Sequence, residues 1–249
     1  MKNLAEAKIG KKRAKIPAAW FHNLAQITQQ RQAVYAFLRR LYEKELPREF
    51  LREMSRKMKP LLELADILPN ARSQNAVRQL VKFISSISSR NLDELQIKLA
   101  ADYARLFLSI NKIPPHPSES VYREGAMMQY YRDEVLQTYW SFGVDKKTEF
   151  TEPEDHIAVE LGFMMFLCEK AHESLQKGGV REASKYIQAQ NDFLEKHLLK
   201  WVPRLVDDII ATGQTPFYKS IAILTNEFLK MDVSAIKDLL KELKAQEDN

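Results

Sequence analysis

Along nearly the whole chain, apolar residues return every three or four positions, and that spacing restricts the fold to packed helices. Val77, Leu80, Val81, Ile84 and Ile87 draw one such stripe; Leu92, Leu95, Leu99, Tyr103 and Leu106 draw the next; Val233, Ile236, Leu239, Leu240 and Leu243 draw the last. Each stripe must be buried against another helix. Sustained period-two alternation, the mark of a half-buried strand, is absent. Only 7 glycines allow sharp backbone turns, and the frequent Leu, Ala, Lys, Glu and Gln lose little on entering a helix. With 249 residues, 45% of them hydrophobic, the chain is long enough to bury a core. The expectation is an all-α globular bundle of about ten helices.

The spacing places helices at roughly 22–45, 48–67, 73–90, 92–109, 123–142, 152–177, 180–198, 199–213, 216–230 and 233–246. Pro47, Pro60, Pro69, Gly178-Gly179 and Gly213 stand at their ends. The strongest break is Ile113-Pro114-Pro115-His116-Pro117-Ser118, where three prolines remove backbone donors and disfavour helix in the residues before them. The predicted organisation is a basic extension over 1–20, a helical half over 21–112, a proline-rich connector over 113–120 and a second helical half over 121–249.

The net charge of +5 is unevenly distributed: residues 1–48 hold 11 Lys/Arg against 3 Asp/Glu, leaving 27 against 30 for the rest. Lys11-Lys12-Arg13-Ala14-Lys15 lacks aromatic interleaving and any base-reading motif, so it reads as a solvated end and no nucleic-acid partner is expected. No stretch is long and apolar enough to span a membrane, and the first twenty residues lack the apolar core of a secretory signal, which points to a cytoplasmic protein. The single cysteine, Cys168, sits among Met164, Met165, Phe166 and Leu167 and reads as a buried, inert thiol.

Chemistry-bearing residues gather at 151–160. Thr151-Glu152-Pro153-Glu154 has the form of a capping box with proline in the first helical turn. Ile157, Leu161, Met164, Met165 and Cys168 then form the core stripe, which predicts Asp155 and His156 near the surface, with His156, Glu160 and Phe163 along one side. Residues 148–169 carry six acids, namely Glu149, Glu152, Glu154, Asp155, Glu160 and Glu169, and no Lys or Arg. Beside Phe150 and Phe163, such an acidic patch suits a peptide that is cationic at one end and apolar along its body. His22, His116, His172 and His197 show no paired spacing, so no metal site is expected. No nucleophile elbow and no glycine-rich phosphate loop is present. An acid/base pair of His156 with Glu154 or Glu160 is the enzymatic alternative.

Four stretches, taken in order, resemble the TorD/DmsD/NarJ redox-enzyme maturation chaperones. They are Tyr103-Ala104-Arg105-Leu106-Phe107 with Ser118-Glu119-Ser120-Val121-Tyr122; Glu152-Pro153-Glu154-Asp155-His156 continuing to Leu161; Phe193-Leu194-Glu195-Lys196-His197-Leu198-Leu199-Lys200-Trp201; and Thr215-Pro216-Phe217-Tyr218. The resemblance implies a cytoplasmic, cofactor-free, all-helical binding protein, not an enzyme. Its partner would be the precursor of a DMSO-reductase-family molybdoenzyme, held through a twin-arginine leader or as the apo catalytic subunit until molybdenum cofactor is inserted. A variant within the family serves a subunit that is not exported. On matching positions, the resemblance implies leader contact by Asp155 and His156, a groove lined by Tyr103, Leu106, Phe107 and Tyr122, and a part for Glu119. It also implies a monomer or a homodimer formed by helix exchange, for which Pro114-Pro115-His116-Pro117 is a candidate hinge.

Overall fold

The structure is a computed structural model that describes residues 16–56, 68–88, 91–108, 115–145 and 150–247. The basic stretch at 11–15, Pro60 with the second half of the helix expected at 48–67, and Ile113-Pro114 lie outside the described residues. The fold is all-α, and among the described residues there is no strand. In chain order the helices are α1 (Ala18–Glu43), α2 (Arg48–Arg56), α3 (Ala71–Ser85), α4 (Leu92–Phe107), α5 (Glu119–Glu124), α6 (Tyr130–Ser141), α7 (Ile157–Gln176), α8 (Val180–Phe193), α9 (Leu199–Thr212) and α10 (Pro216–Glu247), with a π-helical turn at Leu194–Leu198 between α8 and α9.

The helices pair across large sequence distances. α1 lies along α7, α3 along α10, and α8 fills the space between α7 and α10. One apolar core runs from Leu24 to Leu243, so residues on both sides of the proline connector are buried in it together. Each Leu, Ile or Phe fully buried there contributes about 1.5–3 kcal/mol. A charged group is built into the same core: Arg31 of α1 donates from Nε and Nη2 to Asp232 of α10 at 2.5 and 2.8 Å, and the Tyr35 hydroxyl donates to the same carboxylate at 2.6 Å. That bidentate geometry lets both charges be buried.

Most breaks fall where proline or glycine stands. Pro47 precedes α2, Pro69 precedes the Asn70 cap of α3, Gly178 turns the chain after α7 with φ +74°, and Gly213 closes α9. Three expected boundaries differ. The helix expected over 123–142 is split into α5 and α6, because Gly125 takes a left-handed conformation at φ +81°. The helices expected at 216–230 and 233–246 are one continuous α10, since Asp232 is not a surface break but the buried partner of Arg31. The helix expected from 152 begins at Ile157, for a reason given below.

The helices expected at 180–198 and 199–213 run into one another through the π turn. Phe193 with Leu194, His197 with Leu198, Trp201 with Val202 and Leu205 with Val206 are buried as four pairs that repeat every four residues, and Ile209 continues the stripe. A regular helix of 3.6 residues per turn would drift off such a stripe, and one wider turn restores the register. Pro203 lies just beyond, where it removes an amide donor that would otherwise bond back to the carbonyl at 199.

Candidate functional site

The start of α7 is fixed by a second segment of chain. Residues 117–119 run antiparallel to 155–157: the Ile157 amide donates to the Pro117 carbonyl at 2.8 Å, and the Glu119 amide to the Asp155 carbonyl at 3.0 Å, forming an isolated bridge between Ser118 and His156. This pairing holds 155–157 extended, so the helix starts only at Ile157 and the capping box expected at Thr151 does not form. His156 is the cap instead, its Nδ1 accepting from the Ala158 amide at 3.1 Å. Asp155 caps the neighbouring α5, its Oδ2 accepting from the Ser120 amide at 2.8 Å. Both side chains are buried, at 0% and 2% exposure, and the surface position expected for them is corrected accordingly.

Around this bridge lies a buried polar network built from three of the four stretches singled out in the sequence. Glu119 is fully buried and accepts from Arg123 Nη1 at 2.6 Å, and its Oε2 lies 2.8 Å from His197 Nδ1. Glu160, also fully buried, accepts from Trp201 Nε1 at 3.1 Å. Burial, and then the charge of Glu119 beside it, push the Glu160 carboxyl well above its ordinary range, so the neutral acid is the favoured form. Burial also raises Asp155, against the opposing hydrogen bonds from Ser120. The Tyr122 ring lies 5.6 Å from that of Trp201, and its hydroxyl accepts from the His116 amide and donates to Asp208. Asp155 Oδ1, Ser118 Oγ, Ser120 Oγ and His116 Nδ1 are buried with no hydrogen-bond partner among the described residues.

The remaining stretches meet on the other side of the connector. Tyr103, Phe107 and Tyr218 form an aromatic cluster with ring centroids 5.1–6.1 Å apart, and the Tyr103 hydroxyl donates to the Tyr42 carbonyl. Leu106 is completely buried, and Tyr103, Phe107 and Tyr122 keep 3–8% of their surface. These four therefore lie inside the protein in this conformation. Sequence reasoning missed Asp102, whose carboxylate accepts from the Gln214 and Thr215 amides, the Thr215 hydroxyl and Arg105, and so anchors the residues that lead into α10 from across the fold. It also missed the Arg31–Tyr35–Asp232 network. A visible signal existed: Arg31 interrupts the apolar stripe Leu24, Ala25, Thr28, Tyr35, Leu38, the place where a charge must be partnered.

The acidic patch expected over 148–169 is turned inward at two positions, while Glu152, Glu154 and Glu169 are half-buried. Asp155 and Glu160 are buried, Glu154 is bridged to Arg132 at 2.5 Å, and Glu149 lies outside the described residues. On the surface next to it is an apolar cleft of about 200 Å³ between α1, α6 and α7, walled by Tyr139, Phe150, Phe163 and Phe166 with Glu43 and Asp145 also lining it. Gly162 lets α1 approach there, since a Cβ would stand 3.3 Å from the Arg39 side chain.

The groups that an acid/base pair would use are already engaged within the fold. His156 Nδ1 is used by the helix cap, Glu154 by Arg132, and burial pushes the Cys168 thiol up to about 12. Among the described residues no group of three or more His, Cys, Asp or Glu is arranged to hold a metal ion, and no helix is long and apolar enough to cross a membrane.

Comparison with known proteins gives a consistent answer. Residues 70–207 match the family described as nitrate reductase delta subunit. The chain is 30% identical over 206 residues to the chaperone protein TorD of Vibrio parahaemolyticus, an alignment that covers 82% of this chain and 93% of that one. It is 27% identical over 214 residues to the TorD of Aliivibrio fischeri, covering 85% and 97%, and 30% identical over 209 residues to the TorD of Photobacterium profundum, covering 83% and 94%.

Proposed function

Because this chain belongs to the nitrate reductase delta subunit family, we propose that it is a molecular chaperone for the maturation of a molybdoenzyme, a binding protein and not a catalyst. The observation that carries this reading is the breadth of the likeness: 30% identity across 93% of a TorD chaperone engages the whole fold and not one motif. The client is the precursor of a DMSO-reductase-family catalytic subunit, bound in the cytoplasm through its leader or another exposed segment until molybdenum cofactor is inserted. The chaperone itself requires no cofactor.

The residues implicated by resemblance take two parts in this proposal. Asp155, His156 and Glu119 clamp the connector to α7, while Tyr103, Leu106, Phe107 and Tyr122 pack the core on either side of it. Contact between Asp155 and a client requires the Ser118–His156 bridge to open, which would expose its carboxylate to an arginine of the client. The description of the matching family supports a second version, in which the client is a nitrate-reductase-type subunit that is not exported.

A native pull-down with mass identification tests the proposal. Co-purification of a large molybdoenzyme subunit is the expected result, and its amino-terminal sequence, with or without an Arg-Arg motif, separates the two versions. Capture of no redox-enzyme subunit from cells making one would overturn both.

A further inference from the structure

The cleft between α1, α6 and α7 joins aromatic walls to an acidic edge. Tyr139 enters it from α6, Phe163 and Phe166 from α7, and Phe150 from the chain that leads into α7. These rings are neighbours in space: centroids lie 4.6 Å apart for Tyr139 and Phe163 and 6.2 Å apart for Phe163 and Phe166, and all four rings line one space of about 200 Å³. Gly162 keeps the floor open, because a side chain there would meet that of Arg39.

Two carboxylates reach the same space from different elements, Glu43 at the end of α1 and Asp145 just after α6. Each is oriented by a donor on one oxygen: Arg39 Nη2 donates to Glu43 Oε1 at 2.9 Å, and Trp140 Nε1 donates to Asp145 Oδ1 at 3.0 Å. A carboxylate accepts through both oxygens, so Glu43 Oε2 and Asp145 Oδ2 keep their capacity for a ligand. Among the described residues that line the cleft, Arg39 is the single cation against these two acids, which leaves a negative balance.

Walls and charge together select the ligand. A bare ion would give up its water to rings that offer no hydrogen bonds, and a neutral apolar molecule would desolvate the carboxylates without supplying a counter-charge. An alkylated ammonium meets both demands, since its methyl groups carry the charge against aromatic rings and need no acceptor. We propose that this cleft binds a small alkylated ammonium ion, with its methyl groups against Tyr139, Phe150, Phe163 and Phe166 and its charge balanced by Glu43 and Asp145. A space of this size admits a head group of a few heavy atoms rather than a drug-sized molecule. The Phe150 ring also stands edge to face with His156 at 5.3 Å, so an occupant that braces Phe150 braces the cap of α7. The site does not depend on the chaperone reading.

The test is an amide NMR titration of the full chain with tetramethylammonium chloride at constant ionic strength, with tert-butanol as a neutral ligand of similar size. Tetramethylammonium is expected to bind with a Kd of about 1 mM, and tert-butanol at least tenfold more weakly. Glu43→Gln combined with Asp145→Asn is expected to weaken the cation fivefold or more and to leave tert-butanol unchanged. Phe150→Ala is expected to weaken both ligands. The spectrum of each variant without ligand reports whether it is folded, and the charge variant, altered only at the edge of the cleft, keeps the test decisive if Phe150→Ala is not. No saturable shift in the parent, equal affinity for tert-butanol, or a charge variant within twofold of the parent overturns the site. So does a dimer, seen by light scattering, that Phe150→Ala dissolves, since the rings would then face a second copy. The chaperone reading is tested separately, by whether the parent chain captures a redox-enzyme subunit from cells.

Discussion

Glu160 is completely buried against Glu119, and its proton is kept because the ionised form would lose its hydration beside another carboxylate. A carboxyl whose folded pKa lies above the unfolded value of about 4.3 favours the folded state fully below that value and loses the contribution as pH rises through the folded pKa. Glu160→Gln keeps the neutral shape, can still accept from Trp201, and removes the titration. Its melting temperature relative to the parent is therefore expected to climb as pH rises above the ordinary carboxyl range and to level off once the folded pKa is passed. A difference that stays flat with pH would mean Glu160 ionises alike in both states. The sequence showed that 151–160 is dense with ionisable groups, and it identified Cys168 as buried. It could not show that Asp155 and His156 are internal, because the segment covering them comes from residues 117–120, 35 positions away.

At the level of elements, helix ends written in proline and glycine were legible, and those set by distant side chains were not. α10, the longest helix, starts under the Asp102 carboxylate, an acceptor for two of its approaching amides that lies 112 and 113 residues upstream. Asp102→Ala leaves those donors and Arg105 without it, and is expected to cost about 2–3 kcal/mol of unfolding free energy, measured by urea titration. The junction of α5 and α6 tests backbone conformation alone. A Cβ at Gly125 meets nothing within 4 Å, so Gly125→Ala is strained only by φ +81° and is expected to destabilise by about 1 kcal/mol. A loss above 3 kcal/mol would mean that the turn also supports packing. The uninterrupted run of α10 through 230–233 had no local signal, since Asp232 looks like a surface residue until Arg31 is opposite it.

For the molecule as a whole, the proline connector divides the sequence but not the core. Tyr35, Leu38, Leu41 and Tyr42 of α1 are buried, and α1 packs along α7, which lies on the far side of the connector. Four such side chains account for roughly 6–12 kcal/mol of burial, comparable with the whole net stability of a domain, about 5–15 kcal/mol. The fragment 1–112 on its own would expose that face and leave Arg31 without Asp232. Produced alone, 1–112 is expected to give collapsed amide dispersion in its NMR spectrum and no cooperative melt. Produced together with 113–249, it is expected to co-purify and to recover both. A cooperative melt of 1–112 by itself would show that the first half carries its own core. The helix pairing argues against that outcome, because α1 and α7 meet only when both halves are present, and the same requirement fixes the position of the α7 start and the network around Asp155.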